Sequence, residues 1–480
     1  MKTRWLPSLF AMAILVCSVG WSERALRADP APAPVPRLKV SEDRRFLTMA
    51  DGKPFFWLGD TAWWLRLIPP ENVARYMAHR ARQRFNVLQV HCGYAVVDYG
   101  DHRPFLDNDT DKPEEAFWRT MDALVAQALD NRLHIALTPL WGDEYGKAFG
   151  KDAAKAARFG RWIGKRYASR PHILWIVSGE YDSINGYRPV TAEQKTLFTA
   201  LAEGLRQEHH GAQLMTLHPG SARTSSKDFH EVPWLDFNML QSGHMNDCSA
   251  YGKPENYEMV TSDWSLEPVK PVLDGEPIYE DTPDGIFARG NINGPRADAA
   301  AVRRKAYWAV FAGACGHTYG HNDVYGFYVP AHPGEAENFA WGKGSGRRGH
   351  WKDALDAPGA IQMQYVRALM ESRPIPGRIP DPTLVIGDPL KGLNHIAATR
   401  ASDGSYAMIY LPFGKPVHIR TDKISERAIR CWWFDPRTGN ARPAGEHAAQ
   451  AEVEFQPPSA EDWVLVLDDA AKNYPPPGRP

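Results

Sequence analysis

Cysteine is scarce in this chain: five among 480 residues, at positions 17, 92, 248, 315 and 431. No two are spaced as CxxC and none sits in a Cys/His cluster, so neither a zinc site nor a redox pair is signalled. An excess of either charge is also missing, with 56 Lys and Arg against 57 Asp and Glu. Without a basic footprint there is nothing to hold a phosphate backbone, which excludes nucleic acid as the partner. Long apolar runs are confined to the first twenty or so residues, and that run is too short to span a membrane. No Gly-rich dinucleotide fingerprint follows the first apolar strand, and no GxSxG elbow occurs. Those absences remove an open nucleotide-binding sheet and an esterase. No basic or metal constellation suited to uronate elimination stands out, which removes a lyase.

What is present begins with Lys2 and Arg4 ahead of that apolar run, then small residues around Ala25-Leu26-Arg27-Ala28. The pattern predicts a signal peptide over residues 1–28 and a secreted or periplasmic protein with no membrane span after cleavage. Ile14-Leu15-Val16 lacks the small residue that a lipoprotein signal needs before Cys17, which argues against a lipid anchor. Residues 29–37, DPAPAPVPR, read as an extended Pro/Ala linker. The four cysteines left in the mature chain fit either disulfides or isolated buried thiols.

From residue 38 onward, short apolar runs alternate with amphipathic stretches, the signature of parallel strands joined by crossover helices. Eight strands are expected: 55–60, 86–92, 134–141, 173–180, 212–219, 236–243, 271–277 and 315–320. Helices are expected between them at 70–84, 114–131, 153–169, 192–207 and 297–314, where apolar residues recur every three or four positions. Eight strands in roughly 280 residues predict an α/β fold of the closed (β/α)8 TIM-barrel type over residues 38–374. After 375 the texture changes to short alternating runs with Pro/Gly punctuation, predicting an all-β sandwich over 375–470 and a frayed tail at 471–480.

Barrels of this type place their chemistry at the C-terminal ends of the strands. The residues leaving the eight ends are Asp60 with Trp63 and Trp64, His91 with Tyr94, Trp141, Glu180 with Asp182, His218, Gln241 with His244, Glu276, and His317 with Tyr319 and Asn322. Polar and aromatic side chains therefore ring every exit. With 17 Trp and 18 Tyr in the chain, some of these rings suit stacking on sugar faces, although packing in a large core accounts for most of them. Cleavage of a glycosidic bond needs one carboxylic acid and one carboxylate. Glu180 and Glu276 fit, each following an apolar strand and a glycine. Glu280 and Asp182 are rivals whose position on the outer loop favours capping. Asp60 is balanced between holding a hydroxyl and capping the following turn. The histidines are expected to bond substrate or core groups, with no catalytic metal and no cofactor.

The segments GDTAWW (59–64), WIVSGEYD (175–182), PVLDGEPIYE (271–280) and FAGACGHTYGHNDVYGF (311–327) resemble the apiosidase-like glycoside hydrolases. CWWFDPRTG (431–439) and DWVLVL (462–467) resemble the small collagen-binding-type domain found in that family. The resemblance implies a (β/α) barrel with a strand-four acid and a strand-seven glutamate as the catalytic pair, landing on Glu180 and Glu276, and a carbohydrate substrate. Tyr319 and Asn322 gain support as substrate contacts from the match over GHTYGHN. Relatives often carry Asp after two glycines where this chain has Ser178-Gly179-Glu180, a departure that loosens the implied substrate. The competing expectation is a non-catalytic surface protein that binds glycan or collagen.

Overall fold

The computed structural model describes Met1 and residues 35–290, 292–330, 346–424 and 428–479. The expected signal peptide and most of the expected linker lie outside the described residues.

The body of the chain is a curled nine-stranded sheet, eight strands of which run parallel. In chain order these are β1 (Trp57–Thr61), β2 (Val87–His91), β3 (His134–Thr138), β4 (Ile173–Ile176), β5 (Met215–Thr216), β6 (Asn238–Gln241), β7 (Val272–Asp274) and β8 (Gly316–Tyr319). Seven fall inside the sequence-predicted segments, and β1 runs one residue past the expected end at 60. Their residues are buried on both faces, which is why they read as nearly continuous apolar runs. The sheet order is β5-β4-β3-β2-β1-β8-β7-β6, with a two-residue antiparallel strand, Arg223–Thr224, beyond β6. The two ends of the parallel set approach each other. The Asp236 N–H donates to the Met215 carbonyl at 2.9 Å, and the Thr216 hydroxyl donates to the Phe237 carbonyl at 2.8 Å.

Helices α1 (Pro70–Arg82), α2 (Glu115–Asp130), α3 (Gly142–Phe149), α4 (Ala153–Tyr167), α5 (Ala192–His209), α6 (Asn256–Trp264) and α7 (Ala299–Phe311) connect these strands. The ends of α1 show the local logic. Proline occupies its first position, where its missing N–H costs nothing, and its Tyr76 and Arg80 point back at the sheet. Strand alternation decides what each side chain meets. The Trp57 indole lies inside the curl and donates to Thr318 Oγ1 at 3.0 Å. A Cβ on Gly59 would stand 2.5 Å from that indole nitrogen, so only glycine admits it. Asp60, one position on, faces outward to α1.

Beyond α8 (Pro358–Glu371) the chain forms a six-stranded antiparallel sheet, in the spatial order Arg378–Pro380, Ala397–Ala401, Tyr406–Leu411, Trp463–Asp469, Ala428–Phe434 and Ala441–Ala448. A second pair, Val417–Ile419 with Val453–Phe455, accompanies it. Met408, Tyr410, Phe434, Val464 and Val466 share one apolar cluster with α7 and α8. Buried ion pairs bind the two parts: Arg303 of α7 grips both oxygens of Asp462 (2.7 and 2.6 Å), and Arg373 grips Asp468 (2.7 and 2.6 Å). The expected frayed tail is instead held in place. Arg373 stacks over Tyr474 and donates to the Pro475 carbonyl at 3.0 Å. Cys92, Cys248, Cys315 and Cys431 are all free and buried, so of the two readings left open for them the structure takes the isolated thiols. No helix among the described residues is long and apolar enough to cross a membrane.

Candidate active site

A cleft of about 920 Å³ opens where the parallel strands end. Glu180 and Glu276 both line it, one leaving β4 and the other leaving β7. Gly179 lets the Trp141 ring lie against the backbone, since a Cβ there would meet the ring at 2.2 Å. Glu180 itself holds a left-handed conformation (φ 32°, ψ 58°). That conformation costs about 1–3 kcal/mol for a residue with a side chain and persists where its surroundings impose it.

The two carboxylates have different environments. Glu180 Oε2 accepts from the Tyr187 hydroxyl at 2.7 Å and from the Trp141 indole at 3.3 Å. Burial, and next the negative charge of Glu276, push its titration above the usual carboxylate range, against smaller opposing effects from Tyr187, His218 and Trp141. Glu276 is also buried, which by itself would raise it. His244 Nε2, 3.1 Å from Oε1, and His218 Nε2, 3.2 Å from Oε2, overcome that and hold it well below the usual range. The Trp63 indole donates to the same Oε2 at 3.2 Å.

His218 touches both glutamates. Its Nδ1 accepts the Glu180 backbone N–H at 3.4 Å, so the proton of a neutral ring belongs on Nε2, facing Glu276. An aromatic wall completes the site. Trp63 meets Trp141 edge-on with centroids 5.2 Å apart, and His91 meets Trp141 at 5.2 Å and Trp64 at 5.5 Å. Glu144 ties that wall down by bonding His91 Nε2 at 3.0 Å and the N–H groups of Trp141 and Tyr94 at 2.6 and 3.2 Å.

Residues 41–376 match the family described as "Apiosidase-like, catalytic domain", and residues 379–468 match "Putative collagen-binding domain of a collagenase". The chain belongs to the apiosidase-like glycoside hydrolases. Two solved structures are similar over nearly the full length. One, described as a glycoside hydrolase, shares 30% identity at a TM-score of 0.81, covering 92% of this chain and 98% of its own. The other, described as a glycoside hydrolase family 5 structure from Bacteroides vulgatus ATCC 8482, shares 31% identity at a TM-score of 0.82, covering 92% and 95%. Among curated proteins no sequence matches. These likenesses give no support to the non-catalytic reading.

In this apiosidase-like chain, the expected residues divide into three groups. Glu180, Glu276, Trp63, Trp64, His91, Tyr94, Trp141, Gln241 and His244 line the cleft together. His218 lies fully buried behind Glu276. Asp60, His317, Tyr319 and Asn322 are not brought to the cleft. Asp60 is fully buried and pairs with Arg80 at 2.6 Å and the Tyr76 hydroxyl at 2.5 Å. Tyr319 donates to Glu280 Oε2 at 2.6 Å, while Asn322 and His317 are buried at 1% exposure. The cause is the two-residue period of a strand: positions 60, 317 and 319 face the helices.

The rivals Glu280 and Asp182 are spoken for. Glu280 also accepts the Gly359 N–H at 3.0 Å, and Asp182 accepts the Gly220 N–H at 2.7 Å and pairs with Arg223 at 3.0 Å. Sequence reasoning missed Glu144, Tyr187, Tyr279 and Phe287. The Asn185-Gly186 turn ahead of Tyr187 marked a tight loop, Tyr279 stood inside the quoted segment 271–280 without being singled out, and nothing marked Glu144 or Phe287. No group of three or more His, Cys, Asp or Glu side chains among the described residues is arranged to hold a metal ion.

Proposed function

We propose that this protein is an exported retaining glycosidase, in which Glu180 is the general acid/base and Glu276 the nucleophile. The observation that carries the reading is the divergence of the two carboxyls: one cleft holds Glu180 pushed toward its protonated form and Glu276 held ionised. Protonated Glu180 gives its proton to the glycosidic oxygen as the bond to the anomeric carbon breaks, and a Glu276 oxygen bonds that carbon. Water then attacks the glycosyl ester, losing a proton to Glu180 and freeing Glu276.

Gln241 Oε1, buried in the cleft wall with no partner among the described residues, supplies an acceptor for a sugar hydroxyl. Trp64, Trp141 and Tyr94 supply faces for the ring. The substrate is a terminal side-chain sugar of a plant-type or microbial polysaccharide, a reading that rests on the apiosidase-like family match. Eight parallel strands whose ends are bridged at Asp236–Met215 support a closed (β/α)8 barrel, and the two C-terminal sheets support an accessory sandwich over 375–470. Export rests on Lys2, Arg4 and the apolar run after them.

The test is a screen of the parent and two single variants on defined oligosaccharides, with the anomer of the first product read by NMR. Glu276→Gln is expected to abolish turnover. Glu180→Gln is expected to lose about 10²–10⁴-fold on sugar leaving groups, and far less on activated aryl glycosides that need no proton. Full activity of folded Glu276→Gln sinks the assignment, and a first product of inverted configuration sinks the retaining step.

A further inference from the structure

Phe287 lines the cleft and is 63% exposed, the most exposed aromatic side chain among the described residues. One flank of its ring rests on the His244 imidazole, with centroids 5.1 Å apart at 56°, and the remainder is open. Tyr187, the other exposed aromatic residue of the cleft, has its hydroxyl committed to Glu180. Phe287 has no such task in the catalytic pair.

The turn that carries it, Ile286–Arg289, is braced against the loop that follows β6. The Gly285 N–H donates to the His244 carbonyl at 3.0 Å, and the Asn246 N–H donates to Asp284 Oδ1 at 2.7 Å. The Tyr251 hydroxyl donates to the Asp284 carbonyl at 3.2 Å. Arg289 stacks on the Tyr251 ring at 4.3 Å and donates to the Ala250 carbonyl at 3.0 Å. Gly285 takes a left-handed φ of 64°, and a Cβ there would stand 2.2 Å from Tyr251, so only glycine lets the turn close on that loop. Ile286, next to Phe287, is buried. The exposed ring is therefore held in place before any ligand arrives, and little ordering entropy is lost when one binds.

We propose that Phe287 is the platform of a second sugar subsite, on which the glycan unit adjoining the terminal sugar stacks through its C–H face. The order of the two units rests on the glycosidase reading above. Trp63 and His91 are buried and, with the half-buried Trp141, form the inner wall around the carboxylates. A terminal sugar that reaches Glu180 and Glu276 is enclosed by that wall, and the unit it is attached to lies nearer solvent, where Phe287 stands. The chemistry of the surroundings selects a sugar ring. Ser221, Arg223 and Lys253 line the same cleft and are polar, and Lys253 is exposed. One flat apolar face edged by hydrogen-bonding groups matches a ring with C–H groups on its face and hydroxyls at its edge. A lipid chain would need a continuous apolar wall, which these residues interrupt.

Affinity electrophoresis of full-length Glu276→Gln, chosen so that bound glycan is not turned over, tests this in native gels containing arabinogalactan, pectin, xylan or yeast mannan. Retardation is expected in at least one of them. Adding Phe287→Ala is expected to weaken the apparent Kd there about tenfold. Adding Phe287→Trp instead is expected to keep the affinity, because a larger flat ring still stacks. A residue that served only to pack on His244 would be disturbed by Phe287→Trp as much as by Phe287→Ala. Unchanged binding with Phe287→Ala, lost binding with Phe287→Trp, or no retardation in any of the four gels overturns the proposal. The glycosidase reading is decided by turnover in the parent and its loss in Glu276→Gln, which the gels do not measure, so the two fail separately.

Discussion

Tyr187 is the side chain whose removal says most about Glu180. Its hydroxyl donates to Oε2 at 2.7 Å, favouring the ionised carboxylate and so drawing its titration downward. Tyr187→Phe removes that donor, and Glu180 then keeps its proton to higher pH. In the proposed mechanism bond cleavage requires Glu180 protonated and Glu276 ionised, so the alkaline limb of the kcat/KM profile is expected to move to higher pH in the variant. The acid limb, set by Glu276 under the influence of His218 and His244, stays where it is. A limb that moves to lower pH, or does not move, contradicts the hydrogen bond's assigned effect. Tyr187 is 54% exposed, so the substitution leaves the core untouched and folding does not confuse the reading.

At the scale of elements, the alternation of β1 separates a site residue from a structural one. Asp60 lies within β1, closer to its end than Trp63, yet faces α1 and answers Arg80. Asp60→Ala leaves that guanidinium buried without its partner, which costs about 3–5 kcal/mol. A lowered Tm with unchanged KM for the folded fraction is the expected result, whereas a raised KM would return Asp60 to the substrate. The same alternation explains how much was legible in the sequence. Parallel strands buried on both faces announce themselves as apolar runs, so β1 to β8 stand where they were expected, and helices 70–84 and 114–131 differ from α1 and α2 by one or two terminal residues. An apolar run does not say which of its faces looks inward, and Asp60, His317 and Tyr319 were misplaced for that reason. Helix α6 carries β-branched Val260 and Thr261 in nine residues, and α3 is only eight residues long, so neither sustains a period over enough turns to stand out. Glu144 was hidden with α3, because its role depends on the fold bringing His91 and Tyr94 beside it.

For the whole molecule, the consequence of the curled sheet is that residues 180 and 276, far apart in sequence, share one cleft and sense each other's charge. The C-terminal sheet buttresses that arrangement through α7 and α8, where Arg303–Asp462, Arg373–Asp468 and the stacked pair Tyr307–Tyr410 (4.8 Å, 9°) bury one common face. The central claim is that the fold holds Glu180 and Glu276 as a coupled pair whose titrations are driven in opposite directions from the ordinary carboxylate range. The most direct measurement needs no substrate: carboxyl titration of the two glutamates by ¹³C NMR in the parent and in Glu276→Gln. Glu180 is expected to titrate above the ordinary glutamate range in the parent and to fall once the neighbouring charge is removed, with Glu276 of the parent remaining ionised far into acid. A Glu180 that titrates at its ordinary value in both proteins would contradict the account.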